Sequence, residues 1–196
     1  MFMQIEKTPN PNTLKFFPGF TILNEGETVD FFNTDDEDKI KESKLAANLL
    51  RIEHVVGVFF GYDFISITKS DNISWDVLKT KVLITITDYL ISGEKILDNE
   101  KMDNNISKEG FFDENDTEVV NKIKELIENY IRPAVTQDGG DIKFCGYKNG
   151  IVYVKLQGAC SGCPSAAVTL KHGVQNMLCY HISEVLGVET MHDYND

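Results

Sequence analysis

Basic residues are scarce in this chain of 196 residues. Lysine and arginine together number 19 against 31 aspartates and glutamates, which gives a formal net charge of -12. A protein that binds nucleic acid through its phosphates needs clustered cations, and an anionic membrane surface attracts polybasic segments. The sequence therefore predicts neither a nucleic-acid partner nor a membrane partner.

Long apolar runs and targeting patterns are also absent. A transmembrane helix needs about 20 consecutive apolar residues, whereas the apolar runs in this sequence are only a few residues long. Residues 1–6 read MFMQIE and show neither a basic region followed by an apolar stretch nor an Arg-rich transit pattern. We therefore expect a cytoplasmic protein of the bacterial cytosol, without a signal or transit peptide.

Cysteine is infrequent and confined to one end of the sequence. The four cysteines all lie in the last third of the chain, at Cys145, Cys160, Cys163 and Cys179. A secreted disulfide scaffold would be shorter and would spread its cysteines, and a chain of this length buries a core without disulfides. In a reducing compartment, a closely spaced cysteine pair instead indicates metal binding or redox chemistry.

Enzyme signatures are missing as well. The sequence contains no Gly-rich phosphate loop and no arrangement of a nucleophile with a base. The four histidines are scattered along the chain. We therefore expect a protein that is not an enzyme.

Negative charge is concentrated in the middle of the chain. Residues 93–116 hold eight acids against three bases, are rich in Asn and show no sustained apolar period. Such a composition is typical of a linker. We therefore predict an N-terminal domain at residues 1–92, an acidic linker at residues 93–115 and a C-terminal domain at residues 116–196.

Both predicted domains have the order hairpin then helix. In the first, residues 55–60 and 64–68 predict a hairpin that precedes a helix capped by Ser74. In the second, Asn149-Gly150 predicts a type I′ turn between two strands, ahead of a further helix. The predicted fold class is α+β, with two small two-layer α/β domains, each with a β-hairpin-containing sheet packed on helices, joined by the acidic linker.

The helix that opens the second domain carries two further signals. Asn115, with Glu118 three residues on, resembles a capping box. Pro133 predicts a kink or an end of this helix, and Gly139-Gly140 favour the left-handed exit that follows a helix C-terminus.

A cysteine pair stands between the second hairpin and its helix. Residues 158–165 read GACSGCPS, so that Cys160 and Cys163 can both turn toward one ion or cluster from a single loop. The flanking glycines permit close backbone approach, and Pro164 suits the first turn of a helix. We expect this loop to lie near the surface, and we expect the helix N-terminus to lower the pKa of the thiols and favour the thiolate form that binds metal.

Three functional interpretations of the pair stay open on the residues alone, beside the plain alternative of two buried structural cysteines, which the small residues flanking the pair argue against. The first is an iron–sulfur site with two ligands from each of two chains, since such clusters usually take four thiolates. The second is a structural zinc module, which needs further ligands from Cys145, Cys179, His172 or His181. The third is a thiol–disulfide oxidoreductase, although too few residues follow the pair to complete a thioredoxin-like fold.

The cysteine motif is part of a longer pattern. The run QGACSGCPS at residues 157–165 resembles the core motif of the NifU C-terminal domain, the Nfu-type iron–sulfur scaffold. Further runs match that family in order and spacing: Arg132-Pro133, DGGD at 138–141 and NML at 176–178. Residues 8–16 and 58–65 resemble the Nfu N-terminal domain. The resemblance covers nearly the whole chain except the linker.

This resemblance implies a function and a site. It implies a scaffold or carrier that holds a labile [4Fe–4S] cluster, bridged between two chains, and transfers it to apo-proteins. It implies that Cys160 and Cys163 are the cluster ligands. The implied partners are apo iron–sulfur proteins as recipients, upstream cluster-assembly proteins as donors, and a second copy of the chain when the cluster is loaded.

Overall fold

A computed structural model of the chain describes residues 3–97, 110–161 and 164–191, with the side chains of residues 164–166 left aside. The chain divides into two compact units, Met1–Ile106 and Ser107–Asp196. Within the described residues, no helix is long and apolar enough to cross a membrane.

The first unit is built on one antiparallel sheet. In its described part, five strands lie in the order β1-β2-β5-β4-β3, and every neighbouring pair is antiparallel. The strands are β1 Gln4–Lys7, β2 Thr13–Phe17, β3 Val29–Phe32, β4 Val55–Phe60 and β5 Ile65–Lys69, and the helices are α1 Glu37–Ile40, α2 Lys44–Leu50 and α3 Trp75–Ser92.

Local sequence signals fix several of these elements. The predicted hairpin is confirmed, because β4 pairs with β5 and the Gly61 N–H donates to the Phe64 carbonyl across the turn. The predicted cap of α3 is confirmed as well, since the Ser74 side chain accepts from the Asp76 N–H. At the other end, Gly93 takes a left-handed φ of 71° and closes the helix.

The helices of the first unit cover one face of its sheet. The buried residues of α3, including Val82 and Ile86, belong to the same hydrophobic cluster as Phe16 of β2 and Phe31 of β3. Leu49 of α2 joins this cluster. This is the two-layer arrangement that the sequence predicts.

The second unit has a smaller, mixed sheet. In its described part, β6 pairs antiparallel with β7, and β7 pairs parallel with β8. The elements are α4 Thr117–Leu126, a π-helical segment Ile127–Ile131, α5 Arg132–Gln137, β6 Gly140–Lys148, β7 Ile151–Gly158, α6 Pro164–His181 and β8 Gly187–Thr190. The two units therefore share the hairpin-then-helix order, but their sheets differ in strand number and direction.

The turn signals of the second unit are accurate. Asn149 and Gly150 both have positive φ, 52° and 80°, as the predicted type I′ turn between β6 and β7 requires. Gly139 has a φ of 87° directly after α5, which confirms the predicted left-handed exit.

The helix signals of the second unit are less accurate. The predicted capping box does not form: Asp113 accepts from the Asn115 N–H at 2.9 Å, and Asp116, the N-cap of α4, makes no side-chain cap bond. Of the two outcomes predicted at Pro133, an end of the helix is not found, whereas an irregularity in the helical path is. The π-helical segment before it widens the turn where proline lacks an N–H, so that the chain continues into α5.

Phe111 belongs to the second unit. Its N–H donates to the Cys145 carbonyl at 3.1 Å, and its own carbonyl accepts from the Tyr147 N–H at 2.8 Å. Its ring lies 5.1 Å from the Tyr153 ring and covers Gly146, where an added Cβ would come within 2.6 Å of it. Phe111 thus extends the edge of β6, although residues 98–109 before it lie outside the described range and the predicted domain boundaries stay a prediction.

A fragment comparison tests both points. We expect fragment 107–196 to fold alone, and we expect fragment 112–196, which lacks Phe111 but keeps Phe112, to be less stable by about 2 kcal/mol, because it loses two backbone hydrogen bonds and an aromatic contact. Urea unfolding followed by far-UV circular dichroism measures the difference. An unfolded fragment 107–196 would refute the domain division, and equal stabilities would refute the role of Phe111.

Candidate metal site at the cysteine loop

The cysteine loop, residues 158–163, connects β7 to α6. Gly158 ends β7 with a positive φ of 64° and pairs across the sheet with Gly140. The loop is tied back by hydrogen bonds: the Ala159 N–H donates to the Gly139 carbonyl at 3.1 Å, and the Ser161 hydroxyl donates to the Gly158 carbonyl at 2.9 Å. The described part of the loop is therefore held against the start of β6.

Only one of the two predicted ligands falls within the described residues. Cys160 is described and is buried, with 7% of its surface exposed. It belongs to the hydrophobic cluster of the second unit, together with Ile142 and Leu178. Cys163 lies outside the described residues, so its role as a ligand stays a prediction.

The thiol of Cys160 packs into space left by a glycine. A Cβ added at Gly140 would lie 2.8 Å from the Cys160 Sγ and 2.4 Å from the Gln157 carbonyl oxygen. Carbon atoms do not approach other heavy atoms this closely without displacement. Only glycine at position 140 therefore allows the thiol to lie where it does.

Two expectations about the loop are wrong for Cys160. The thiol is not near the surface, and its pKa is not lowered: burial, and then the negative charges of Asp138 and Asp141, raise it to about 12. Burial disfavours the charged thiolate, and this effect dominates at Cys160. In this conformation Cys160 is a neutral thiol at physiological pH.

An ion pair between the half-buried Arg132 and a buried carboxylate fixes the turn before β6. Asp141 is fully buried and accepts two hydrogen bonds from Arg132, from Nε at 2.8 Å and from Nη2 at 3.0 Å. Its Oδ1 also accepts from the Ile142 N–H. On the solvent side, Arg132 donates to the carboxylate of Glu128. Burial would lower the pKa of Arg132, but the bonds and charges of Asp141 and Glu128 outweigh it and hold that pKa above its ordinary value.

The sequence did not reveal this pair. Asp141 stood out only as part of the DGGD run at 138–141, whereas in the structure its side chain binds α5 to the start of β6. The sequence contained part of the signal for this ion pair, because Arg132 and the 138–141 run both belong to the family pattern. Nothing in the linear spacing shows that the two side chains meet.

The other candidate zinc ligands are spread along β6 and α6, where His172 and His181 stand eight and seventeen residues beyond Pro164, about 12 Å and 26 Å along the helix. Cys145 is five residues along β6 from Gly140, which is roughly 17 Å at the usual strand rise. Cys179 is fifteen residues beyond Pro164 in α6, which is about 22 Å along the helix. Within the part of the chain that the structure describes, no three His, Cys, Asp or Glu side chains converge as a metal site would require. The zinc interpretation therefore gains no ligand from them.

Comparison with known proteins places this chain in a family. A sequence model described as "NifU-like domain" matches residues 123–189, and one described as "Scaffold protein Nfu/NifU N terminal" matches residues 3–93. The NifU-like protein 4, mitochondrial, of Arabidopsis thaliana is 46% identical over 199 residues, which cover 100% of this chain and 68% of that protein. The chain belongs to the Nfu family of iron–sulfur cluster scaffold proteins.

A second sequence relative agrees with this Nfu assignment. The NFU1 iron-sulfur cluster scaffold homolog, mitochondrial, of Drosophila sechellia is 47% identical over 196 residues, covering 100% of this chain and 67% of that protein. A solution structure of a NifU-like protein from Saccharomyces cerevisiae is 29% identical, covers 50% of this chain and 84% of that one, and has a TM-score of 0.45. Family membership supports a role as an iron–sulfur cluster scaffold for this Nfu protein.

The relatives correct one expectation. The prediction of a bacterial cytosolic protein is wrong, because the Arabidopsis and Drosophila Nfu relatives are both named as mitochondrial. The inference failed because the lack of a targeting pattern in residues 1–6 does not report the compartment of the protein.

Substitution of Gly140 tests the packing of the cysteine loop. Gly140→Ala should lower the free energy of unfolding by about 1–3 kcal/mol, because the added methyl group displaces Cys160 or the Gln157 carbonyl. The matched control is Gly173→Ala, in α6, where an added Cβ meets nothing within 4 Å. The control should gain up to about 1 kcal/mol from helix propensity. Urea unfolding measures both, and a Gly140→Ala variant as stable as the parent would contradict this packing.

Proposed function

We propose that this Nfu protein carries a labile [4Fe–4S] cluster on Cys160 and Cys163 and passes it to apo iron–sulfur proteins in mitochondria. The observation that supports this most is the isolation of the cysteine loop. Cys145 and Cys179 are held on rigid elements at distances that a single cluster does not span.

The number of ligands that a cluster needs implies a second chain. A four-iron cluster usually takes four thiolates, and the cysteine loop of one chain supplies Cys160 and Cys163. The cluster is therefore shared by two copies of the protein, each contributing one loop. The cluster is cargo in this proposal and is not a permanent part of the fold.

The buried position of Cys160 adds a step to loading. The thiol has to leave the hydrophobic cluster of the second unit and lose its proton before it binds iron. The Ala159–Gly139 hydrogen bond opens as the loop turns outward. Gly158, already at positive φ, is the residue at which the chain can change direction.

The same burial favours release. When a recipient offers more thiolates, the cluster exchanges ligands, and Cys160 regains its packing against Gly140 and the core. The returning thiol thus offsets part of the free energy lost on giving up the cluster. A site that retained its open conformation without the cluster would hold its cargo more tightly.

The alternative functions gain no support from the described residues. The buried, neutral thiol of Cys160 does not separate a thiol–disulfide oxidoreductase from a cluster carrier, since both need the loop to open and the thiol to ionise. The relative named as an iron–sulfur cluster scaffold homolog favours the carrier. A structural zinc module needs four convergent ligands, whereas Cys145, Cys179, His172 and His181 stand about 12 Å or more from the ends of the loop along β6 and α6.

Cysteine variants test the bridged site. After anaerobic reconstitution of the full chain, we expect iron and acid-labile sulfide at about one cluster per two chains, with the mass of a dimer by light scattering. Cys160→Ser and Cys163→Ser should each lose both the cluster and the cluster-dependent dimer. The matched controls Cys145→Ala and Cys179→Ala should keep both.

Three results would refute the bridged cluster. They are a monomer that carries a full cluster, loss of the cluster in Cys179→Ala, and zinc in place of iron in the purified protein. Metal analysis beside the mass of each variant distinguishes them.

A further inference from the structure

Helix α3 is apolar on two opposite faces. Its inner face is buried in the core of the first unit, through residues such as Val82 and Ile86. Its outer face exposes three large apolar side chains: Val77 is 64% exposed, Ile84 53% and Ile91 70%. Single exposed apolar residues are ordinary, but these three recur on one helix.

The three exposed residues form one stripe. Val77, Ile84 and Ile91 are spaced seven residues apart, so each lies about 10 Å from the next on nearly the same side of the helix. A repeat of seven with β-branched residues at one position is the pattern of a helix that packs against another helix. We call these three residues the α3 stripe.

Two opposite charges flank the α3 stripe on the same side. Lys81 and Asp88 are both exposed, and both are turned from Ile84 in the same rotational direction around the helix. Lys81 stands three residues before Ile84 and Asp88 stands four residues after it. The charges are therefore almost equidistant from the centre of the stripe.

This arrangement is complementary to itself. When a second α3 is placed antiparallel across a twofold axis at Ile84, Val77 of one copy meets Ile91 of the other. Lys81 then comes level with Asp88 of the other copy, to within about one residue rise along the helix. The twofold axis repeats both contacts, as an isologous interface requires. In a parallel pairing, Lys81 and Asp88 of one copy would lie on the opposite side of the interface from Lys81 and Asp88 of the other copy. The opposite charges of the two copies would then not meet.

We propose that the α3 stripe is a self-association surface that binds the α3 helix of a second copy in antiparallel orientation. Three apolar side chains per copy are far fewer than the roughly 20–30 residues per side of a stable interface, so the contact is weak by itself. It gains strength when a shared cluster already joins two chains, because the second contact then forms at high effective concentration. Only that last step rests on the proposed function.

Exchange of the charges at Lys81 and Asp88 tests the proposed antiparallel contact most directly. In sedimentation velocity of the cluster-free full chain, from micromolar to near-millimolar concentration, we expect reversible dimerisation at the upper end. Lys81→Asp and Asp88→Lys should each weaken it by about threefold to tenfold, since each creates two like-charge contacts where two opposite-charge contacts stood. The double variant Lys81→Asp with Asp88→Lys should restore the parent affinity to within about twofold.

An apolar substitution gives a second measurement. Ile84→Asp should abolish dimerisation, because it places two like charges at the twofold axis. The matched control is Tyr62→Asp, at an exposed aromatic residue in the β4–β5 turn, and it should dimerise as the parent does. Circular dichroism should show the parent fold in both, since both residues are exposed.

Two outcomes would overturn the proposal. The first is a parent chain that stays monomeric at every concentration, which is the result expected if the α3 stripe binds a helix of another protein instead. The second is a double charge variant that dimerises no better than the single variants. The protein in this experiment carries no cluster. A failure of the bridged cluster would therefore leave this result intact, and a failure here would leave the bridged cluster intact.

Discussion

The thiol of Cys160 occupies the space that a side chain at Gly140 would fill. This contact brings together the end of β7 and the start of β6, whose register pairs Gly140 with Gly158. The ion pair between Arg132 and the buried Asp141 holds the same turn to α5. The position of the cysteine loop therefore depends on a glycine and an ion pair that are distant from it in sequence.

Burial of Cys160 affects both the uptake and the release of a cluster at this site. A carrier has to take up a cluster and also give it up, and a ligand that packs well without its cargo makes the cluster-free state more stable. The cost falls on loading, which needs the loop to open and the thiol to ionise. In physical terms, the packing against Gly140 and the binding of iron compete for the same side chain.

Most local signals predicted local features, although the capping box at Asn115 did not form. Ser74 capped α3, Asn149-Gly150 made the hairpin turn and Gly139 took its left-handed φ, because each depends on a few neighbouring residues. Predictions that needed distant contacts failed: the spacing of the cysteines identified a loop but gave no information on whether Cys160 faces solvent or core. The raised pKa of its thiol follows from burial beside Asp138 and Asp141, which no linear pattern reveals.

Thiol accessibility in the cluster-free protein tests the central claim most directly. In a chain with Cys145→Ala, Cys163→Ser and Cys179→Ala, Cys160 is the remaining cysteine, and its alkylation by iodoacetamide at neutral pH is followed by mass spectrometry. A buried, neutral thiol should react at least about tenfold more slowly in the native chain than in the same chain unfolded in urea. Equal rates in the two states would show that Cys160 is already exposed, which would contradict the competition between packing and cluster binding.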